Sequence, residues 1–137
     1  MIRTYLDSGV LIAASRSRSK SSELAISILE DQNREFISSD YLRLEIVPKA
    51  TYFRSTAEFK LYEEFLAKAT VLPGNSDHFD LAYILACQYG LAAMDSLHIT
   101  VAVETFCDEF ITTERPTSPL FRVPGIRILT LSPPLTR

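Results

Sequence analysis

Residues 2–14, IRTYLDSGVLIAA, have the pattern of a strand that leads directly into a helix. Ile2 to Leu6 is a short apolar segment that predicts a buried strand, and Ser8 to Ala14 predicts a helix. Asp7 and Ser8 stand at the joint, and both are residue types suited to helix capping. An acidic side chain is therefore expected at the carboxyl end of the first strand.

The alternation of strand and helix continues along the chain. Asp40 is the predicted N-cap of a helical segment that Pro48 should kink or interrupt, and residues 113–124 are predicted as a loop. Strands that alternate with helices predict an α/β fold with a parallel sheet and helices on both faces. The further strands are predicted over 35–38, 70–72, 109–112 and 126–131, and the further helices over 21–33, 56–69, 76–89 and 95–106.

Length and composition fit one globular unit. The 137 residues are 47% hydrophobic and 23% charged, with only 4 Gly, which is typical of a chain with a substantial core. We expect a single domain over residues 1–132 and a loose tail over 133–137. Cys87 and Cys107 lack metal-site spacing and are predicted to be reduced core thiols.

Charge and targeting signals limit the function. The formal net charge of −3 argues against binding nucleic acid through bulk charge alone. One short Ser-rich loop offers a local contact, because Arg16, Arg18 and Lys20 could pair with RNA phosphates; a solvated loop before a helix is the alternative. No secretory signal and no apolar run long enough for a membrane span is present, so a cytoplasmic protein is expected.

Four acids could carry chemistry. Asp7 and Glu114 follow predicted strands, and ligands sit outside the carboxyl ends of strands in open parallel sheets. Asp95 lies at the amino end of a helix, where the helix dipole favours an ionised carboxylate. Glu45 is an acid in an otherwise apolar helical stretch. Each acid alone could be a helix cap or a surface residue, but together they could converge in one cleft.

A cleft that gathers carboxylates needs a counter-charge. Like charges repel each other, raise at least one pKa and destabilise the fold unless a divalent cation neutralises them. Ligands that are all oxygen suit Mg²⁺ or Mn²⁺ rather than zinc.

The four acidic segments resemble the motifs of PIN-domain nucleases. These segments are Tyr5-Leu6-Asp7-Ser8, Glu45, Met94-Asp95-Ser96 and Ile111-Thr112-Thr113-Glu114, and their order and spacing fit along nearly the whole chain. The first and third are the most specific, since one Glu in a helix is common. The fourth departs from the usual Thr-x-Asp of the family, because Glu114 stands in place of the aspartate.

The resemblance implies a PIN-like fold, a three-layer α/β/α arrangement with a mostly parallel sheet of about five strands. It also implies a Mg²⁺- or Mn²⁺-dependent endoribonuclease that hydrolyses phosphodiester bonds with a metal-activated water. Asp7, Asp95 and Glu114 would hold the metal, and Glu45 would ligate it or orient the water. Small members of the family are commonly VapC-like toxins, which implies an antitoxin partner and a homodimer.

Neighbouring polar residues are candidates for supporting roles. Ser8, Thr112 and Thr113 could hydrogen-bond a carboxylate or a metal-bound water, although each also fits ordinary cap, strand or turn chemistry. His98 lies one helical turn after Asp95 and could contact phosphate, but a partly buried structural histidine is the favoured interpretation.

Other functions remain to be weighed against the nuclease. Receiver and dehalogenase-like phosphotransfer proteins also place an aspartate after the first strand, but the sequence here continues Asp7-Ser8-Gly9 and has no lysine after Lys68. A PIN-like module that binds RNA or protein without cutting is the more serious alternative, since the chain is acidic and Glu114 departs from the motif.

Overall fold

The computed structural model describes residues 1–16 and 19–132. Its centre is one sheet of five strands in the order β3-β2-β1-β4-β5, and every neighbouring pair is parallel. The strands are β1 (Ile2–Leu6), β2 (Arg34–Ser39), β3 (Thr70–Leu72), β4 (Glu109–Thr112) and β5 (Arg127–Thr130).

Helices cover both faces of the sheet, so the predicted α/β class and three-layer arrangement are confirmed. The helices are α1 (Ser8–Ser15), α2 (Lys20–Leu29), α3 (Asp40–Tyr52), α4 (Thr56–Lys68), α5 (Ser76–Tyr89) and α6 (Ala93–Glu104). A 3₁₀ turn over Pro119–Arg122 lies in the segment predicted as a loop.

Two apolar clusters fill the space between the sheet and its helices. Successive strand residues point to opposite faces, so Leu6 and Ile111 join the cluster under α1 to α4, whereas Tyr5 and Phe110 join the cluster under α6. The strands β1 and β4 thus contribute to both layers, as central parallel strands do.

Several helix boundaries differ from the predicted ones. Ser39, not Asp40, caps α3, because its side chain accepts from the Leu42 amide. Pro48 does not interrupt α3, which continues to Tyr52. The helix α6 begins at Ala93 rather than at the predicted Asp95, so Asp95 lies within its first turn.

The strand order places the candidate acids. The chain adds β2 and β3 on one side of β1 and then returns to add β4 and β5 on the other. A crevice opens at such a reversal, outside the carboxyl ends of the adjacent strands. Leu6 of β1 pairs with Ile111 of β4, and the Asp7 amide donates to the Ile111 carbonyl at 2.9 Å. Asp7 and the segment after Thr112 are therefore neighbours.

Further predictions concern the cysteines, the basic loop and the C-terminal tail. Cys107 is buried as predicted, but Cys87 is exposed and is not a core thiol; both are free. Arg18 and the tail over 133–137 lie outside the described residues. Within 1–16 and 19–132, every helix is too short or too polar to cross a bilayer.

Candidate active site

Asp7 is buried, and both of its carboxylate oxygens are held in place. Oδ1 accepts from the Ser8 amide at 2.8 Å and so caps α1, while Oδ2 accepts from the Thr112 hydroxyl at 2.9 Å. Burial raises the pKa of Asp7, and these hydrogen bonds act in the opposite direction. Asp7 is therefore a fixed acid whose charged form is disfavoured by burial.

Asp95 reaches the same cleft from the first turn of α6. Burial raises its pKa to about 8, and the neighbouring Glu114, Asp7 and Glu45 carboxyl groups act in the same direction. A carboxyl group with this pKa is mostly protonated at neutral pH unless a cation is nearby.

Glu114 is positioned by the end of β4 and by the turn that follows. Its amide donates to the Thr112 hydroxyl at 3.1 Å, and the Ser118 hydroxyl donates to its Oε1 at 2.7 Å. Ser118 also caps the 3₁₀ turn. The Thr130 hydroxyl of β5 donates to the Glu114 carbonyl. The longer side chain is thus anchored at both its backbone and its carboxylate.

These three acids meet. One carboxylate oxygen from each of Asp7, Asp95 and Glu114 lies within 4.8 Å of the others. The donors are all carboxylate oxygens, and the raised pKa values of Asp7 and Asp95 show that their negative charges are poorly compensated by the protein. The residues present fit Mg²⁺ or Mn²⁺, which prefer oxygen ligands.

Glu45 belongs to a second group of side chains that also includes Asp7. It projects from α3, and its Oε1 is 2.8 Å from Nε2 of His98. This hydrogen bond lowers the pKa of Glu45 more than partial burial raises it, with a smaller contribution from the Ser8 hydroxyl. One carboxylate oxygen of Asp7, one of Glu45 and a ring nitrogen of His98 also lie within 4.8 Å of one another. Asp7 is therefore common to both groups of acids.

His98 cannot contact phosphate, because it is fully buried. It is also more than the partly buried structural residue favoured from the sequence. Its Nδ1 lies 2.7 Å from the Tyr5 hydroxyl, which in turn lies 2.7 Å from the Ser39 hydroxyl. Burial raises the pKa of Tyr5, so its phenol keeps its proton.

Sequence reasoning missed Tyr5 and Ser39. Two spacings could have placed Tyr5 and His98 near the acids. Tyr5 lies in the first strand two residues before Asp7, and His98 lies three residues after Asp95 in a helix. Each spacing places its two residues on the same side of the backbone. The contact of Ser39 with Tyr5 spans 34 residues, and no local pattern predicts it.

The three predicted supporting residues have different surroundings. Thr112 bonds both Asp7 and the Glu114 amide, and Ser8 donates its amide to Asp7. Thr113 instead packs against Gly9, where an added Cβ would collide with the Thr113 hydroxyl.

A polar pocket of about 320 Å³ borders Glu45 and Ser8. Arg16 and Lys49 supply cations to its wall, and Phe53 supplies an aromatic ring. Lys20 is exposed at the start of α2. One of the predicted loop cations, Arg16, therefore lies beside the candidate acids.

Comparison with solved structures gives the same fold in proteins of low sequence identity. VapBC from Salmonella typhimurium bound to DNA is 15% identical, with a TM-score of 0.71 over 96% of this chain and 99% of that one. VapBC2 from Rickettsia felis, bound to a DNA fragment from their promoter, is 14% identical with a TM-score of 0.70 over 93% and 97%. A toxin–antitoxin complex from Klebsiella pneumoniae is 16% identical, with a TM-score of 0.70 over the same shares.

Comparison with known sequences gives a match to one family model but not to any curated protein. A search of curated proteins finds no significant match. The family model of the PIN domain matches residues 4–115, a range that includes Asp7, Glu45, Asp95 and Glu114. A match over most of the chain, together with this sheet order, establishes that the chain belongs to the PIN domain family.

Proposed function

We propose that the protein is an endoribonuclease that holds Mg²⁺ or Mn²⁺ with Asp7, Asp95 and Glu114. Membership of the PIN domain family supports a nuclease that hydrolyses nucleic acid. The observation that carries the finer proposal is the approach of three carboxylate oxygens within 4.8 Å at the carboxyl ends of β1 and β4. A divalent cation bound there would supply a water of lowered pKa and positive charge beside the phosphate oxygens.

The chain's own residues have separate tasks in this proposal. Asp7 is the most rigid ligand, because Ser8 and Thr112 fix its two oxygens. Glu45 is held at Oε1 by His98, which leaves Oε2 to orient the attacking water. The lowered pKa of Glu45 keeps its carboxylate ionised, as this orienting role requires.

The polar pocket beside Glu45 is the proposed path for RNA. Arg16 and Lys49 can pair with phosphates, and the Phe53 ring is exposed for stacking on a base. Single-stranded nucleic acids bind through this combination of cations and aromatic rings. An acidic protein can bind RNA in this way because the contact is local. Lys20, exposed at the start of α2, would extend the path, and the predicted cation Arg18 lies outside the described residues.

We also propose that the protein is the toxin of a toxin–antitoxin pair and forms a homodimer. The structural relatives from three bacteria are toxin–antitoxin or VapBC assemblies. On α5, Phe79, Tyr83 and Ile84 are 63%, 65% and 57% exposed, and exposed apolar patches of this kind mark protein interfaces. Sedimentation should give a dimer for the wild type and a smaller species for Tyr83→Glu.

Cleavage assays on matched substrates test the proposed activity. A circular RNA should be cut in Mg²⁺ or Mn²⁺, since an endonuclease needs no free end, and EDTA should stop the reaction. A single-stranded DNA circle of the same sequence should be cut much more slowly. Binding of the RNA circle without cleavage in either metal would instead identify a non-enzymatic PIN-like module.

A further inference from the structure

A buried chain of hydrogen bonds runs behind the proposed metal site. It passes from the Ser39 hydroxyl to the Tyr5 hydroxyl at 2.7 Å, then to Nδ1 of His98 at 2.7 Å. It ends at Oε1 of Glu45, 2.8 Å from Nε2 of His98. Ser39, Tyr5 and His98 are all buried. Only the last member, Glu45, reaches the cleft.

The donors and acceptors of this chain fit one direction. The Ser39 oxygen already accepts from the Leu42 amide, and within 1–16 and 19–132 its proton has the Tyr5 oxygen as acceptor. Tyr5, which thereby accepts from Ser39, must direct its own proton to Nδ1 of His98. Nδ1 is then the acceptor of a neutral imidazole, and Nε2 carries the proton that is donated to Glu45.

We infer that His98 is a positioning residue, held by Tyr5 as the tautomer protonated at Nε2 so that it fixes the carboxylate of Glu45. This inference rests on the proposed function, because Glu45 matters only if the cleft cuts RNA. The reverse chain would turn Nδ1–H toward Tyr5 and leave the Ser39 proton without an acceptor among the residues that the structure describes. A buried donor without a partner costs free energy. The need of the Ser39 hydroxyl for an acceptor therefore fixes the direction of the hydrogen bonds and the tautomer of His98.

Fixing one oxygen of Glu45 determines where the other one points. A Glu side chain on a helix has several rotamers, and a water-orienting carboxylate has to keep one of them. His98 lies in the centre of α6, and Tyr5 is stacked parallel to Phe110 at 5.5 Å. His98 and Tyr5 are therefore both held rigidly. Outer residues that orient the groups around a metal contribute about 10–100-fold to activity or affinity.

The first test observes the tautomer in the metal-free protein. The nitrogen chemical shifts of selectively labelled histidine should show His98 protonated at Nε2 alone at neutral pH. In Tyr5→Phe, which keeps the ring and its stacking on Phe110, the Nδ1 signal should shift because it loses its donor. A wild-type His98 protonated at Nδ1, or at both nitrogens, would overturn the inference.

The second test separates positioning from structure through kinetics. Tyr5→Phe and His98→Leu should lower kcat about 10–100-fold with little change in KM for RNA or in Mn²⁺ affinity. His98→Gln keeps an N–H at the position of Nε2 and should recover part of the loss. If His98→Leu fails to fold, Tyr5→Phe and His98→Gln still decide the matter. Wild-type kcat in Tyr5→Phe would contradict the inference.

Asp95→Asn distinguishes this inference from the proposed function. If it abolishes cleavage while Tyr5→Phe cleaves like the wild type, the acid site is right and the positioning role is wrong. If Asp95→Asn cleaves like the wild type, the proposed metal site itself is wrong, whatever the tautomer of His98.

Discussion

The Thr112 hydroxyl donates a 2.9 Å hydrogen bond to Oδ2 of Asp7, and its oxygen accepts from the Glu114 amide at 3.1 Å. One side chain at the end of β4 therefore sets both the orientation of the acid after β1 and the path of the backbone that carries Glu114. Asp7 follows β1 and Glu114 follows β4, so the two hydrogen bonds of Thr112 help to set the separation of these acids.

Replacing Thr112 by Val tests this dependence. The variant loses the donor to Asp7 and the acceptor for Glu114, so Mn²⁺ affinity should fall about 10–100-fold. The free energy of unfolding should fall by about 1–3 kcal/mol, since buried polar groups lose their partner. Calorimetric titration with Mn²⁺ and denaturant unfolding measure the two effects.

Thr100→Val is the matched control. The Thr100 hydroxyl is also fully buried, but it has no hydrogen-bond partner among the residues that the structure describes. The same substitution there should leave Mn²⁺ affinity unchanged and be neutral or stabilising. Equal losses in both variants would mean that Thr112 has no specific role at the acids.

The pKa of Asp95 predicts how stability depends on pH without metal. Its pKa is raised from an ordinary 3.8 to about 8, so the folded protein keeps a proton that the unfolded chain has lost. The free energy of unfolding should therefore fall as pH rises across this window. Asp95→Asn does not titrate, so it should melt above the wild type at alkaline pH in EDTA.

The control for the pH effect is the exposed Asp80→Asn, which should follow the wild type at every pH. Mn²⁺ binding provides a second readout, because the metal requires ionised ligands and its apparent affinity should rise with pH until about 8. Parallel melting curves for wild type and Asp95→Asn from acid to alkaline pH would contradict the assigned pKa.

The sequence could predict the fold and the segments that bear the acids. Short apolar segments in the strands, a helical period between them and an acid after β1 are local patterns, and the parallel order of strands follows from their alternation with helices. The segments around Asp7 and Asp95 carried the resemblance to PIN domains. Their mutual distance required the structure.

Contacts between distant residues could not be predicted. His98 bonds Glu45 across 53 positions, and Tyr5 bonds His98 across 93. A lone histidine on a helix predicts neither partner, so its role was assigned incompletely. The N-cap of α3, Ser39, and the start of α6, Ala93, were also misplaced, because neighbouring polar residues such as Asp40 and Asp95 compete as caps.

Gly9→Ala should disturb the site through packing. Alanine normally stabilises a helix by about 0.5–1 kcal/mol relative to glycine, but here its Cβ would collide with Thr113, beside Glu114. The variant should instead be destabilised by about 1–3 kcal/mol and bind Mn²⁺ more weakly. Adding Thr113→Ala should restore both properties, and a stabilised Gly9→Ala single variant would refute the close packing.

Arg16 and Lys49 should contribute to RNA binding in proportion to their charge. Each phosphate contact contributes about 0.7 to the slope of log affinity against log salt for a single strand. Arg16→Ala with Lys49→Ala should therefore flatten the slope by about 1.4 and leave Mn²⁺ affinity nearly unchanged. Arg127→Ala, at the amino end of β5, should leave the slope unaltered. An unchanged slope in the double variant would place the RNA elsewhere.

We propose above all that Asp7, Asp95 and Glu114 let the protein cut RNA with a divalent metal. The most direct test is single-turnover cleavage of RNA in Mn²⁺ by the wild type and Asp95→Asn, with folding of both checked by circular dichroism. We expect the wild type to cleave, EDTA to stop it, and folded Asp95→Asn to lose activity by several orders of magnitude, since ligand loss removes several kcal/mol of transition-state stabilisation. Equal cleavage by the wild type and the folded variant would contradict the claim.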